Sequence, residues 1–150
     1  MARSPLCLTY EVYIAAPPQR VWEALTDGSI TSKYFYGTEV RSSFKRGADI
    51  AYTAAGMALV QGKILSVEKG RGLEISQRAL WDPAVSDDPP TRVSWELAPV
   101  GDATKLTLVH DGFERETETL KQSSAGWPVI LSGLKTLVET GRPLALPAQG

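Results

Sequence analysis

Gly126 to Gly141 reads GWPVILSGLKTLVETG, the one long helical pattern in a chain whose other periodic segments alternate as strands do. Stepped at about 100° per residue, Trp127, Ile130, Leu131, Leu134, Leu137 and Val138 fall in one arc of roughly 120°, with Ser132, Lys135, Thr136 and Glu139 opposite. One face is therefore built for burial and the other for water. Pro128 suits a first turn, where a missing N–H is not needed, and Gly141 followed by Pro143 stops the pattern. The spacing predicts a helix of about 14 residues and about 20 Å, long enough to lie across a curved sheet. Gly133 in its middle costs about 1 kcal/mol relative to alanine unless another segment packs close there.

Outward from this helix the texture is strand and turn. Near the N-terminus Leu8, Tyr10, Val12 and Ile14 alternate with Thr9, Glu11 and Tyr13, which predicts a strand over 7–14. Pro17 and Pro18 end it and open a short helix with Val21, Trp22 and Leu25 as its apolar stripe. Asp27 or Ser29 caps a second short helix over about 29–34, leading into Tyr34, Phe35 and Tyr36. Six strands follow, at 38–44, 48–55, 59–67, 71–80, 91–98 and 103–110, separated by turn signals such as Lys45-Arg46-Gly47, Glu68-Lys69-Gly70 and Gly101-Asp102. Connections this short require antiparallel neighbours. The one long connection, WDPAVSDDPP at 81–90, is rich in proline and acid and reads as a mobile surface loop. The order β-α-α-β6-α gives an α+β fold with a seven-stranded curved antiparallel sheet.

Composition narrows the function classes. With 150 residues the chain reads as one domain, its core at about 7–141 and a tail at 142–150, and it can bury a core without disulfides or metal. Net charge is −1 and the basic residues are scattered, so the electrostatic footprint of a nucleic-acid binder is missing. One cysteine, Cys7, and one histidine, His110, exclude the usual zinc ligand sets. No metal or cofactor is expected. The N-terminal residues pass straight into strand pattern without an apolar leader, and no window is apolar enough for a membrane span, so the expectation is a cytoplasmic protein.

RVWEALTD at Arg20 to Asp27, the pair Tyr34-Phe35, VQGKILSVEKG at Val60 to Gly70, TLVHDGF at Thr107 to Phe113 and the C-terminal helix together resemble one family. The chain is similar, from about Tyr10 to Gly141, to the START-like, Bet v 1-like (SRPBCC) helix-grip domains of the group named after the activator of the Hsp90 ATPase. It departs from a common pattern in having Tyr34-Phe35 where Trp-Phe often stands. The resemblance implies a sheet wrapped around the C-terminal helix with a cavity beneath it. It also implies one of several functions: a binder of hydrophobic or amphipathic small molecules, a polyketide cyclase or hydroxylase-type domain, or a co-chaperone module.

The candidate site follows from strand parity. His110 shares a face with Leu106 and Leu108 and points inward, where it would meet a ligand or act as acid or base; the plainer reading is a core histidine tied to a backbone carbonyl. Asp111 faces the other way, so no triad is formed, and no G-x-S-x-G is present. Tyr52 beside Ile50, Trp95 with Val93 and Leu97, and Trp127 on the helix bring three amphipathic rings to one interior, and Gln77 adds an inward amide. With Leu108, Leu131 and Leu134 these make the expected lining: Tyr52, Gln77, Trp95, Leu108, His110, Trp127, Leu131 and Leu134. Rings that simply fill a core would give the same parity. The leading expectation is binding of a hydrophobic or amphipathic small molecule. Alternatives are a co-chaperone-like or stress-response interaction protein, with a homodimer or an Hsp90-type chaperone as partner, and a cyclase-like or hydrolytic enzyme using His110. Glu114, Glu116 and Glu118 read as a solvated acidic run that suits the helix dipole.

Overall fold

Alternating apolar residues give the strands of one seven-stranded antiparallel sheet, in which β2 to β7 follow one another in chain order and β1 pairs with β7, in the order β1-β7-β6-β5-β4-β3-β2. The computed structural model describes residues 6–145; residues 146–150 of the expected tail lie outside them. The strands are β1 (Leu8–Ile14), β2 (Glu39–Ser42), β3 (Asp49–Ala54), β4 (Met57–Glu68), β5 (Gly72–Ala79), β6 (Thr91–Val100) and β7 (Ala103–Asp111). Helices α1 (Pro18–Thr26) and α2 (Gly28–Thr31) separate β1 from β2, α3 (Pro83–Ser86) lies between β5 and β6, and α4 (Glu118–Thr140) closes the chain. Pairing of β1 with β7, from Leu8 opposite His110 to Ile14 opposite Thr104, ties the first strand to the last. This is the expected α+β helix-grip fold.

Two places in β4 curl the sheet. At Gly62 a Cβ would sit 1.7 Å from the carbonyl oxygen of Ser76 on β5, so only glycine lets the strands pass this closely. Beyond it the β4–β5 register slips between Ile64 and Ser66, and the β3–β4 register slips between Tyr52 and Thr53. Such irregularities bend strands and increase twist. The concave face carries the core, in which Ile50, Ile64, Ile75, Val93, Leu106 and Leu108 share one buried cluster with Leu134 of α4.

Helix α4 is longer than the apolar arc predicts. It has 23 residues and starts at Glu118, with the Thr117 hydroxyl accepting from the Leu120 N–H at 3.1 Å. The buried stripe continues upstream of Trp127 through Ser123 and Thr119, four residues apart, so small polar residues hide it from an apolar count. Pro128 therefore sits inside the helix rather than in its first turn. A proline there cannot donate to the carbonyl four residues before it, which is that of Ser124. The hydroxyl of Tyr10 on β1 donates to that carbonyl instead, at 3.4 Å.

Gly133 does have a close neighbour. A Cβ there would lie 3.2 Å from the Cβ of Tyr34, whose hydroxyl donates to the Ala24 carbonyl at 2.7 Å. Tyr34 is thus wedged between α1 and α4, and the glycine makes room for it.

The segment 81–90 is not the free loop its composition suggests. Asp82 caps α3 by accepting from the Ala84 N–H at 2.9 Å, and Val85 is fully buried. Asp88 then caps α4, accepting from the backbone N–H and the hydroxyl of Thr119 at 3.0 and 2.6 Å. Its acidic residues are helix caps, which composition alone does not distinguish from solvated charge. Helix α2 is also shorter than expected. Its Thr31 hydroxyl turns to donate to the Thr38 carbonyl and accept from the Val40 N–H, anchoring β2.

Candidate functional site

Between the curled sheet and the N-terminal half of α4 lies a cavity of about 350 Å³. Phe35 and Tyr36 form one wall, Leu59 and Val60 of β4 a second, and Trp127 and Ile130 of α4 a third. Trp81, from the segment after β5, and Tyr36 are 37% and 61% exposed and mark the mouth. Alternation along β5 places Gln77 on the same inward face as Leu73, Ile75 and Ala79. On α4, Ser123, Trp127 and Ile130 share the inward face, and Gly126 keeps the space beside Tyr36 free of a side chain.

Trp127 is the centre of an aromatic cluster. Its indole stands nearly perpendicular to Phe35 at 5.9 Å and to Trp95 at 5.6 Å, and Phe35 stacks on Tyr52 at 4.5 Å. Such offset and edge-on arrangements suit the ring quadrupoles. Among the described residues, the buried indole N–H of Trp95 has no hydrogen-bond partner.

The Trp127 ring is held from behind by hydrogen bonds. Its Nε1–H donates to Nδ1 of His110 at 3.0 Å. An indole nitrogen only donates, so Nδ1 is unprotonated and the proton of the neutral ring is on Nε2. Nε2 donates to the Thr91 hydroxyl at 2.8 Å, which in turn donates to the Gln77 carbonyl at 3.3 Å. Burial lowers the His110 pKa from 6.5 to about 4, against the weaker opposing pull of Asp111. Asp111 itself points outward, where the Arg92 guanidinium, 2.8 Å away, holds its carboxyl below the ordinary range.

Of the residues that parity selects, Gln77 and Trp127 stand on the cavity wall. Tyr52, Trp95, Leu108, Leu131, Leu134 and His110 are buried in the packed layer outside that wall. His110 bonds two side chains rather than a backbone carbonyl. Burial raises the Tyr52 phenol well above its ordinary pKa. Parity did not select Ser123 or Gln122, which sit on the unforeseen first turns of α4, or Trp81, in the segment read as a mobile loop. The spacing of Thr119, Ser123 and Trp127 is the signal that would have found Ser123.

Among the described residues no charged side chain lines the cavity. At the mouth, Gln122 accepts from the Trp81 indole at 2.6 Å and donates to Glu118 at 2.9 Å and to Asp82 at 3.4 Å. Among the described residues no group of three or more His, Cys, Asp or Glu side chains is placed to hold a metal, and no helix is long and apolar enough to cross a membrane.

Comparison with solved structures finds the same fold repeatedly. DynU16, a protein of the dynemicin biosynthetic locus, superposes with a TM-score of 0.78 at 24% identity over 93% of this chain and 49% of its own. The chain thus spans about half the length of DynU16. CalU16 from Micromonospora echinospora gives 0.71 at 26% identity over 92% of this chain and 76% of its own. The HSP90 activator PFC0360w from Plasmodium falciparum gives 0.73 at 17% identity over 92% and 98%. None of the curated proteins compared with the chain matches it. A family model described as Activator of Hsp90 ATPase homolog 1-like protein matches residues 15–139, most of the chain, which also carries the curled sheet and long C-terminal helix of the START-like, Bet v 1-like fold. The chain belongs to the Activator of Hsp90 ATPase homolog 1-like family.

Proposed function

We propose that the chain binds a small hydrophobic or amphipathic molecule in the cavity between the curled sheet and α4. The observation that carries this reading is the lining: Phe35, Leu59, Val60, Trp127 and Ile130 surround a space of about 350 Å³. That volume is at the lower end of the roughly 300–1,000 Å³ typical of small-molecule pockets, which combine apolar walls with few polar groups. Affinity would come chiefly from apolar area removed from water, at about 25 cal/mol per Å². His110 serves to hold Trp127 in this reading, because both of its ring nitrogens already have side-chain partners.

Native mass spectrometry of the freshly purified protein tests the proposal. A mass excess that is lost on denaturation supports it and gives the ligand's mass. Failure of any apolar compound to be retained, even when added in excess, counts against it. Family membership favours a second reading, an interaction protein that works with an Hsp90-type chaperone or as a homodimer. A retained protein partner or a dimer without ligand in the same spectra would support that one.

A further inference from the structure

Two polar side chains on the cavity wall are unmatched. Gln77 on β5 and Ser123 on α4 are only 5% and 7% exposed. Among the described residues, the amide of Gln77 and the hydroxyl of Ser123 have no hydrogen-bond partner, although the Gln77 backbone carbonyl accepts from Thr91. Their polar atoms still reach the space of the cavity, because among the described residues the fully buried side-chain nitrogen or oxygen without a partner is the Trp95 indole N–H. Both face the same cavity from opposite layers of the fold, one from the sheet and one from the helix. A molecule that displaces solvent from the cavity must supply their hydrogen bonds itself or leave them unmet.

Charge narrows the class further. Among the described residues an anionic ligand would find no cation on the lining and would pass the carboxylates of Asp82 and Glu118, which flank Gln122 at the mouth. Resting on the small-molecule reading above, we infer that Gln77 and Ser123 form the polar recognition pair for an uncharged, ring-based molecule carrying a hydroxyl or carbonyl oxygen. Aromatic walls take the rings, and the amide and hydroxyl, each both donor and acceptor, take the oxygen. The pair would reject carboxylates such as free fatty acids.

Equilibrium dialysis with naphthalene, naphthol and naphthoate separates the contributions of shape, neutral oxygen and charge. The wild type should hold naphthol about three- to tenfold more tightly than naphthalene, the gain of one or two net hydrogen bonds, and naphthoate least. In Gln77→Leu with Ser123→Ala, naphthalene binding should persist while the naphthol advantage disappears. Gln77→Leu should melt no lower than wild type, because the amide it removes has no partner within the protein; Ser123→Ala alone, and Gln77→Met, provide the same comparison if that variant does not fold. Tightest binding of naphthoate, or a naphthol preference unchanged in the double variant, overturns the inference. Retention of none of the three probes by the wild type defeats the cavity reading together with this one, whereas naphthalene binding without a naphthol preference defeats this inference alone.

Discussion

Trp127 donates its indole proton to Nδ1 of His110 at 3.0 Å, across the seam between α4 and β7. That bond fixes the tautomer of the protein's one histidine, and it sets the orientation of the ring that forms one wall of the cavity. The His110 pKa of about 4 means the bond exists with a neutral ring.

A pH dependence follows. The unfolded histidine titrates near 6.5, so as pH falls below that value the unfolded chain takes up a proton before the folded one does. Stability should be unaffected by this group above about pH 6.5 and should decline between 6.5 and 4, by up to about 3 kcal/mol. Urea unfolding at a series of pH values measures it. His110→Gln should flatten the slope in that window, and an unchanged slope would assign it to other groups.

Gly133 should not accept a bulky side chain. With Tyr34 Cβ only 3.2 Å from the position of an added Cβ, Gly133→Leu must displace either Tyr34 or the helix. The expected cost is about 1–3 kcal/mol, read as a lower urea midpoint at constant m-value.

Pro128 gives the opposite sign. Pro128→Ala restores the N–H that can bond the Ser124 carbonyl, and alanine is favoured over proline in a helix interior by about 3 kcal/mol. Part of that gain is offset by loss of the Tyr10 bond and by greater freedom of the unfolded chain, so a net stabilisation of about 1–2 kcal/mol is expected. Thermal melting of Pro128→Ala beside Tyr10→Phe checks it; a lower melting point for the former would mean that the proline's own packing matters more than the missing bond.

Removal of the cap on α4 should loosen two elements together. Asp88→Ala takes both hydrogen bonds from Thr119 and leaves the first turn of α4 without one of its acceptors, at a cost of about 0.5–2 kcal/mol. Amide exchange should rise in 81–90 and in the first turns of α4, while the centre of β6 stays protected. Faster exchange confined to 81–90 would show that the cap does not stabilise the helix.

The layout of the fold is legible in the sequence because its signals are local. Alternation marks Leu8 to Ile14 and each strand of the meander, and glycines with neighbouring polar residues mark the turns, so the antiparallel order of β2 to β7 follows from the connections, while the place of β1 beside β7 is set by long-range pairing. The start of α4 was concealed because Thr119 and Ser123 occupy buried positions with small polar side chains, and an apolar count registers them as surface. Asp82 and Asp88 look like solvated charge until their partners, Ala84 and Thr119, are in place. Parity is sufficient to turn Tyr52, Trp95 and His110 inward. It cannot tell the layer that packs from the layer that lines a space, because that depends on the curl at Gly62 and on how far α4 stands off the sheet.

The central claim is that apolar compounds enter the space beneath Trp127. Methyl chemical shifts of the protein, followed as naphthalene is added, test it most directly. The account predicts saturable shifts at Ile130, Leu59 and Val60, with Leu106, buried far along β7, nearly unmoved. Shifts scattered over the outer surface, or none at all with naphthalene at its solubility limit, would contradict it.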